Sequence, residues 1–229
     1  MYRYVFSAAL LGREIPLGNY HIGFPLFLIS GLALLRLVMT SLKLFEDTFA
    51  IFKKQDLAEW IKISPTGWWE ILLSSVAWKM LVMFSEISVL VIAAHYFIGT
   101  PAKAFFQARI IAAGFLTVMT YMGLGLIVSS IIRFFKRGAF LFPLIYQTSF
   151  AFGGVYFPAH LLPKQLHFFI NGIPIASSLT IIRGCLAGTP AQQEMLPMDF
   201  LIFSAFAFLL TGTFFLNSAI RWSQKHGTL

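Results

Sequence analysis

Charged residues are scarce in this sequence: Asp, Glu, Lys and Arg make up 11% of its 229 residues, whereas 58% are hydrophobic. Soluble globular domains carry roughly 25% charged residues, so this chain has too little polar surface to remain in water. The scarcity excludes a soluble enzyme and indicates a membrane protein. At about 1.5 Å per residue and roughly 20 residues per crossing, the length allows about five or six spanning helices and no separate soluble domain.

Several kinds of chemistry are excluded by missing residues. Cys185 is the single cysteine, so the chain has no pair to form an internal disulfide or to bind a metal. His95 and His160 lack the spacing of metal ligands, and we expect both at the membrane surface. The sequence has no Ser-His-Asp, Cys-His or paired-carboxylate arrangement and no Gly-rich phosphate-binding loop. We therefore predict no catalytic residues, no metal site and no cofactor in this chain.

The positions of the basic residues indicate how the chain is oriented in the membrane. The net charge is +8, but the basic residues lie between long apolar runs, which indicates contact with anionic lipid and not with nucleic acid. If the chain starts outside, nine basic residues fall on the inner side and five on the outer side. The positive-inside rule then predicts that the C-terminus is cytoplasmic.

Apolar runs bounded by charge, Pro or Gly predict an all-α polytopic membrane protein with a single transmembrane domain, 1–229. Five full crossings are expected, at 25–45, 71–97, 108–132, 140–157 and 200–220. Residues 1–11 are apolar but too short to span, and we expect them to be the outer end of a sixth crossing.

A mixed stretch at 158–199 separates the last two crossings. Its apolar part, 166–186, contains Asn171, Gly172 and Pro174 near the middle. A straight crossing there would leave backbone groups unsatisfied in lipid. We therefore predict a re-entrant helical hairpin that enters from the outer side and returns.

The polar segment 46–70 lies between the first two crossings. Apolar residues recur in it at spacings of three to five, which predicts an amphipathic helix at the cytoplasmic interface. A membrane-surface linker and a docking helix for a cytoplasmic partner both fit this pattern.

Two opposite charges lie at matching depth in the first two crossings. Arg36 and Glu86 are each about 11 residues from the outer end of their helix, roughly 16 Å deep. Charges at this depth are costly and indicate function or specific pairing. Three interpretations remain open: an ion pair that fixes helix packing, a polar step in a path or subunit interface, and separate reach toward the surface. Lys79 is expected to reach the cytoplasmic interface as a structural residue.

A polar stripe interrupts the fourth predicted crossing at Tyr146, Gln147, Thr148 and Ser149. Helix packing and substrate contact both explain such a stripe. Aromatic faces offer contacts of low specificity to a large amphipathic substrate. The candidates for lining a path are Tyr146, Gln147, Phe142, Phe150 and Phe152.

Several segments together resemble a known family. Residues 24–32 (FPLFLISGL) resemble the beginning of the second helix in permeases of type-2 ATP-binding-cassette (ABC) exporters. Residues 57–65 (LAEWIKISP) are similar to the loop that those permeases place against their ATPase. Residues 152–158 (FGGVYFP) resemble the start of the family's re-entrant region, which continues here through Pro158, Pro163, Pro174 and Arg183. The end of the chain (QKHGTL) also resembles the family's tail.

The resemblance implies the membrane subunit of an ATP-driven exporter in a bacterial cytoplasmic membrane. Such a permease pairs with a second, identical or different permease and with two copies of an ATPase subunit, which binds ATP and magnesium. Residues Asp56, Glu59, Trp60 and Pro65 would then contact the ATPase. The substrate would be an amphipathic molecule, either drug-like or a lipid-linked glycan.

Two other classes remain as alternatives. One is a secondary transporter or channel that needs no ATPase. The charged residues Arg36 and Glu86 support this alternative, whereas the lack of a visible repeat of several helices argues against it. The other is a membrane scaffold or immunity-type subunit that transports nothing.

Overall fold

A computed structural model of the chain describes residues 14–17, 20–54, 68–99, 102–135, 138–156, 170, 172–188 and 195–225. Within these residues the chain forms two short strands and six α-helices. These are β1 (Glu14–Leu17), β2 (Tyr20–Gly23), α1 (Phe24–Lys54), α2 (Trp68–Ile98), α3 (Ala108–Phe135), α4 (Leu141–Phe152), α5 (Pro174–Ala187) and α6 (Met195–Lys225). A short 3-10 helix, Ala102–Phe106, lies between α2 and α3.

Four of the helices are long and apolar enough to cross a membrane. The candidate spans are Phe24–Asp47 in α1, Leu73–Tyr96 in α2, Ala108–Phe135 in α3 and Leu196–Ala219 in α6. They coincide with four of the five predicted crossings. The apolar stretches of these spans differ in burial. Half of the residues in the apolar stretches of α1 and α3 are buried, but only 6% of those in α2. Helix α2 therefore lies at the periphery of the helix bundle.

Helix α4 differs from the full crossing predicted at 140–157. It has 12 residues, which rise about 18 Å, whereas the hydrocarbon core is about 30 Å thick. The helix ends at the turn formed by Gly153 and Gly154, and Gly154 has a φ of 74° that favours glycine. The described part of this segment therefore does not supply a complete crossing.

A β-hairpin precedes α1, although the sequence predicts only helices. Strands β1 and β2 pair antiparallel, with Ile15 opposite Ile22 and Leu17 opposite Tyr20. Each strand has four residues, the lower limit of the alternating run that identifies a strand in a sequence. The hairpin leads directly into α1 at Phe24.

Helix α3 is the centre of the bundle, because two of its glycines permit close helix packing on different sides. A Cβ added at Gly123 would lie 2.5 Å from the carbonyl carbon of Phe208 in α6. On the α6 side, a Cβ added at Gly212 would lie 2.6 Å from the carbonyl oxygen of Gly123. A Cβ added at Gly125 would overlap the carbonyl oxygen of Leu42 in α1. Small residues of this kind let helices in membranes approach through their backbones.

Buried hydroxyl groups also connect α3 to its neighbours. The Tyr121 hydroxyl shares a hydrogen bond of 2.8 Å with Ser149 Oγ of α4. Thr117 Oγ1 shares a short hydrogen bond with Ser178 Oγ of α5. All four side chains are buried. These bonds join α4 and α5, which are too short to span, to a helix that is long enough.

Candidate functional site

An ion pair joins the middle of α1 to the middle of α2. Arg36 Nε donates to Glu86 Oε2 at 2.7 Å, and Arg36 Nη2 donates to Glu86 Oε1 at 2.8 Å. Arg36 is the thirteenth residue of the 24-residue span Phe24–Asp47, and Glu86 is the fourteenth of the 24-residue span Leu73–Tyr96. The two charges therefore meet at the same depth. This two-bond geometry is the strong form of an Arg–carboxylate contact.

The Arg36–Glu86 pair lies on the surface of the bundle. The side chain of Arg36 is 48% exposed and that of Glu86 is 34% exposed. Leu32, one helical turn from Arg36 and on the same face of α1, is also exposed. The pair is therefore accessible from outside the helix bundle, on the side where α1 meets α2.

A second ion pair joins the same two helices with the charges reversed. Lys79 Nζ of α2 lies 2.9 Å from Asp47 Oδ2 of α1 and also donates to the Leu44 carbonyl oxygen at 3.2 Å. Along both helices the cation precedes the anion: Arg36 precedes Asp47 in α1, and Lys79 precedes Glu86 in α2. Antiparallel packing therefore places each cation beside an anion. A parallel arrangement of α1 and α2 would bring like charges together, so the two pairs specify the antiparallel packing. Lys79, expected to reach the cytoplasmic interface as a structural residue, extends to the Asp47 carboxylate at the end of the α1 span.

Aromatic side chains of α4 and of the turn after it contact one another in a row that begins near the Arg36–Glu86 pair. Tyr146 lies close enough to Arg36 for an electrostatic interaction with its guanidinium group. The ring of Tyr146 stacks on Phe150 with centroids 6.5 Å apart, and Phe150 meets Tyr156 edge-on at 5.1 Å. Tyr156 is exposed. Sequence reasoning included Tyr156 only in the segment 152–158 that resembles the family's re-entrant region and did not name it as a path-lining candidate.

The other side chains of the predicted polar stripe divide between two environments. Gln147 and Thr148 are exposed, and Phe152 is half-buried. Ser149 is buried and bonds Tyr121, so it serves helix packing. Phe142 is 1% exposed and belongs to the core. Its selection as a path-lining candidate was therefore wrong, because the ring is buried in a core cluster to which α1, α3 and α5 also contribute.

Arg183 of α5 forms a buried centre at the N-terminal end of α1. Its guanidinium group donates to the carbonyl oxygens of Gly154 at 2.7 Å, Phe27 at 3.1 Å and Val155 at 3.2 Å. It also lies 3.4 Å from Ser30 Oγ. The side chain is 4% exposed. We call these residues the Arg183 cradle.

The cradle needs glycine at position 31 of α1. A Cβ added at Gly31 would lie 2.7 Å from the Val155 carbonyl oxygen and 3.1 Å from Arg183 Nη2. Three segments that are distant in sequence thus meet at one cation: the beginning of α1, the turn after α4, and α5. The sequence marks Arg183 only as part of the re-entrant region and does not identify its partners.

Helix α5 lies in the second half of the segment for which a re-entrant hairpin was predicted. Helix α5 begins at Pro174, which is buried, and Ile173 before it has the extended backbone that precedes proline. The helix ends at Gly188, whose φ is 76°. Residues Pro158, His160 and Pro163 lie outside the described residues, and the re-entrant hairpin stays a prediction.

The predicted ATPase-contacting residues Asp56, Glu59, Trp60 and Pro65 also lie outside the described residues. Among the residues that the structure describes, no group of three or more His, Cys, Asp or Glu side chains could hold a metal ion. His95 is exposed at the end of α2, and the Cys185 thiol is buried in α5.

Comparison with known proteins relates most of the chain to a family. The family model described as ABC-2 type transporter matches residues 3–187 of this chain. The matched region contains α1 to α5, both ion pairs and the Arg183 cradle. A search of curated proteins finds no significant match to the chain.

Proposed function

Because the chain belongs to the ABC-2 type transporter family, we propose that it is the membrane subunit of an ATP-driven exporter of an amphipathic substrate. The observation that carries the proposal is the architecture within the matched region. Long apolar helices pack closely around α3 while charged and aromatic side chains remain on the surface of α1, α2 and α4. A membrane permease needs both properties, since it must be stable in lipid and offer polar contacts at depth.

Coupling to a separate ATPase is the second part of the proposal. Helix α1 continues to Lys54, seven residues beyond the end of its candidate span at Asp47. At about 1.5 Å per residue this extension projects roughly 10 Å past the apolar region. The projecting end leads into the segment with Asp56, Glu59, Trp60 and Pro65, which we propose as the contact with the ATPase. Two ATPase subunits carrying ATP and magnesium would drive two permease subunits, identical or different.

The orientation and location follow from the distribution of basic residues. We place Lys53, Lys54 and Arg221 on the cytoplasmic side and the β-hairpin and the Arg183 cradle on the outer side. The protein would then lie in a bacterial cytoplasmic membrane with its C-terminus inside. In this orientation the segment between α4 and α6 faces outward as a re-entrant hairpin.

A secondary transporter is the second candidate function, and one observation favours it. The Arg36–Glu86 pair places a carboxylate and a guanidinium group at mid-depth, where transporters without ATPases carry their coupling groups. The two candidates differ in whether an ATPase associates with the chain.

Copurification tests the exporter proposal. The chain is coexpressed with an ATPase that carries a phosphate-binding loop and is encoded beside it, purified, and reconstituted in liposomes. We expect a stable complex whose ATP hydrolysis is inhibited by vanadate. The variant Glu59→Lys should weaken the complex, whereas Asp199→Lys in α6, the same charge change on the other side of the membrane, should leave it intact.

Two outcomes would contradict the proposal. One is the absence of an associated ATPase when the chain itself is well folded. The other is association that Glu59→Lys and Asp199→Lys affect equally, which would remove the docking assignment. Substrate-driven uptake by the chain alone in a proton or sodium gradient would establish the secondary transporter instead.

A further inference from the structure

The Arg36–Glu86 pair, two aromatic side chains of α4 and one in the turn after α4 lie along one face, which we call the mid-membrane face. It consists of Arg36, Glu86, Tyr146, Phe150 and Tyr156. Tyr146 lies within electrostatic range of Arg36, and ring contacts run from Tyr146 through Phe150 to Tyr156. Tyr156 follows Val155, whose carbonyl oxygen lies beside Gly31 of α1. The face therefore extends from the middle of the membrane toward the N-terminal end of α1.

Hydrocarbon is an unfavourable environment for this face. An ion pair of which a third to a half is exposed at the centre of two spans would lose its remaining hydrogen bonds in lipid. The contact with Glu86 uses Nε and Nη2 of Arg36, so the two N–H groups of Nη1 lie outside the fork. A polar group or water beside the face would satisfy these donors and the outer lone pairs of the carboxylate.

The balance of charge specifies which polar group fits. The guanidinium and carboxylate groups neutralise each other over 2.7 Å. An anionic head group placed on the face would approach Glu86, and a cationic one would approach Arg36, so either meets a like charge. A neutral group that donates and accepts hydrogen bonds meets no such repulsion. Sugar hydroxyl groups do both.

The aromatic part of the face suits the same ligand. Tyr146 and Phe150 are half-buried against the core, and Tyr156 is exposed beside Phe150. The exposed parts of such rings offer contact area to apolar and weakly polar surfaces. We propose that the mid-membrane face binds a neutral polyhydroxylated head group, such as a sugar, of the exported amphiphile. This inference rests on the proposed function and selects the glycan over a charged drug-like molecule.

Binding of amphiphiles that share one alkyl chain tests the inference directly. The purified chain in phosphatidylcholine nanodiscs is titrated with dodecyl maltoside, dodecyl phosphate, dodecyltrimethylammonium or dodecanol, each radiolabelled and below its micellar concentration. Retention by empty nanodiscs is subtracted. We expect dodecyl maltoside to bind at least about tenfold more tightly than the other three probes, since only its head group matches the donors and acceptors.

Substitutions of the pair separate recognition from stability. Arg36→Leu with Glu86→Leu removes both charges without leaving either unpaired, so the double variant is expected to fold. It should lose the preference for maltoside over dodecanol. The matched control is Asp47→Leu with Lys79→Leu, which removes the other ion pair between the same helices and should bind as the wild type does.

Single substitutions should change which head group binds. Glu86→Gln leaves the guanidinium charge uncompensated, and we expect the preference to move toward dodecyl phosphate. Arg36→Gln leaves the carboxylate, and the preference should move toward dodecyltrimethylammonium. A pair that only holds α1 against α2 has no reason to produce these opposite shifts.

Three results would overturn the inference. Equal binding of maltoside and dodecanol by the wild type is the first, and wild-type binding by a folded double leucine variant is the second. The third is an altered oligomeric mass of the double variant with unchanged maltoside binding per chain, which would assign the face to contact between subunits. All measurements omit the ATPase and nucleotide, so failure to couple to an ATPase leaves this result standing, and failure here leaves the coupling standing.

Discussion

The guanidinium carbon of Arg183 lies 3.6 Å from the centre of the Phe27 ring. The cation thus stacks on an aromatic face while its N–H groups donate to carbonyl oxygens of Phe27, Gly154 and Val155. A buried cation is costly unless its hydrogen bonds are satisfied, and here one side chain bonds three separate segments. Arg183 of α5 therefore links α5 to both α1 and the turn after α4.

Replacement of Arg183 by lysine should destabilise the protein. An ammonium group keeps the charge but lacks the planar fork that reaches several carbonyl oxygens. We expect a loss of about 2–3 kcal/mol, the cost of leaving buried acceptors unpaired, measured by thermal unfolding of the detergent-solubilised chain. The control is Arg221→Lys on the exposed surface of α6. An unchanged midpoint for Arg183→Lys would contradict the cradle.

Two glycine substitutions in α3 should have opposite effects. Gly123→Ala places a methyl group against the backbone of α6 and should cost about 1–3 kcal/mol through overpacking. Gly114→Ala meets only Leu37 Cδ1 at 4.0 Å, and alanine is the better helix former, so it should be neutral or slightly stabilising. Thermal unfolding of both variants is the measurement. Equal loss of stability in the two would refute the close packing of α3 on α6.

Exchange of the charges at the Arg36–Glu86 pair should restore stability that single substitutions remove. Arg36→Glu or Glu86→Arg alone places two like charges at mid-span, and an unpaired charge there costs about 2.5–3.5 kcal/mol on insertion scales. The double exchange re-forms a pair. The yield of monodisperse protein after size-exclusion chromatography should fall in each single variant and recover in the double variant. Absence of recovery would show that the two side chains do not pair in the membrane.

The hydrogen bond between Tyr121 and Ser149 should make a small, measurable contribution. Tyr121→Phe removes the hydroxyl from a fully packed site, and Ser149→Ala removes its partner. Hydrogen bonds between membrane helices average about 0.6 kcal/mol and reach about 1.7 kcal/mol, so we expect a coupling of about 1 kcal/mol in the double-variant cycle. Chemical unfolding of the wild type, the two single variants and the double variant in mixed micelles gives the four free energies of unfolding that the cycle compares. Strictly additive losses would mean that the two hydroxyls do not interact.

Sequence reasoning succeeded where local composition decides the outcome. Four crossings were predicted within a few residues of the observed helices because apolar length and charge depletion are local properties. The matching depth of Arg36 and Glu86 followed from counting residues along two helices. The break before α5 followed from proline at position 174.

The failures share a different cause. Phe142 and Phe150 lie on the same helix, and no local pattern distinguishes the fully buried ring from the half-buried one. The length of α4 depends on a turn at Gly154 that Arg183 stabilises from a segment 29 residues away. Such outcomes depend on partners that are distant in the chain.

The sequence by itself determined that this protein lies in a membrane, where its long helices run, and that two opposite charges share one depth. Each of these follows from the cost of polar groups in hydrocarbon, which acts residue by residue. Only the tertiary structure decided that Arg36 and Glu86 form a fork on an exposed face beside Tyr146, and that Arg183 is enclosed by carbonyl oxygens. Those arrangements depend on how closely α1, α3 and α5 approach one another, and that distance is set by packing between segments far apart in the sequence.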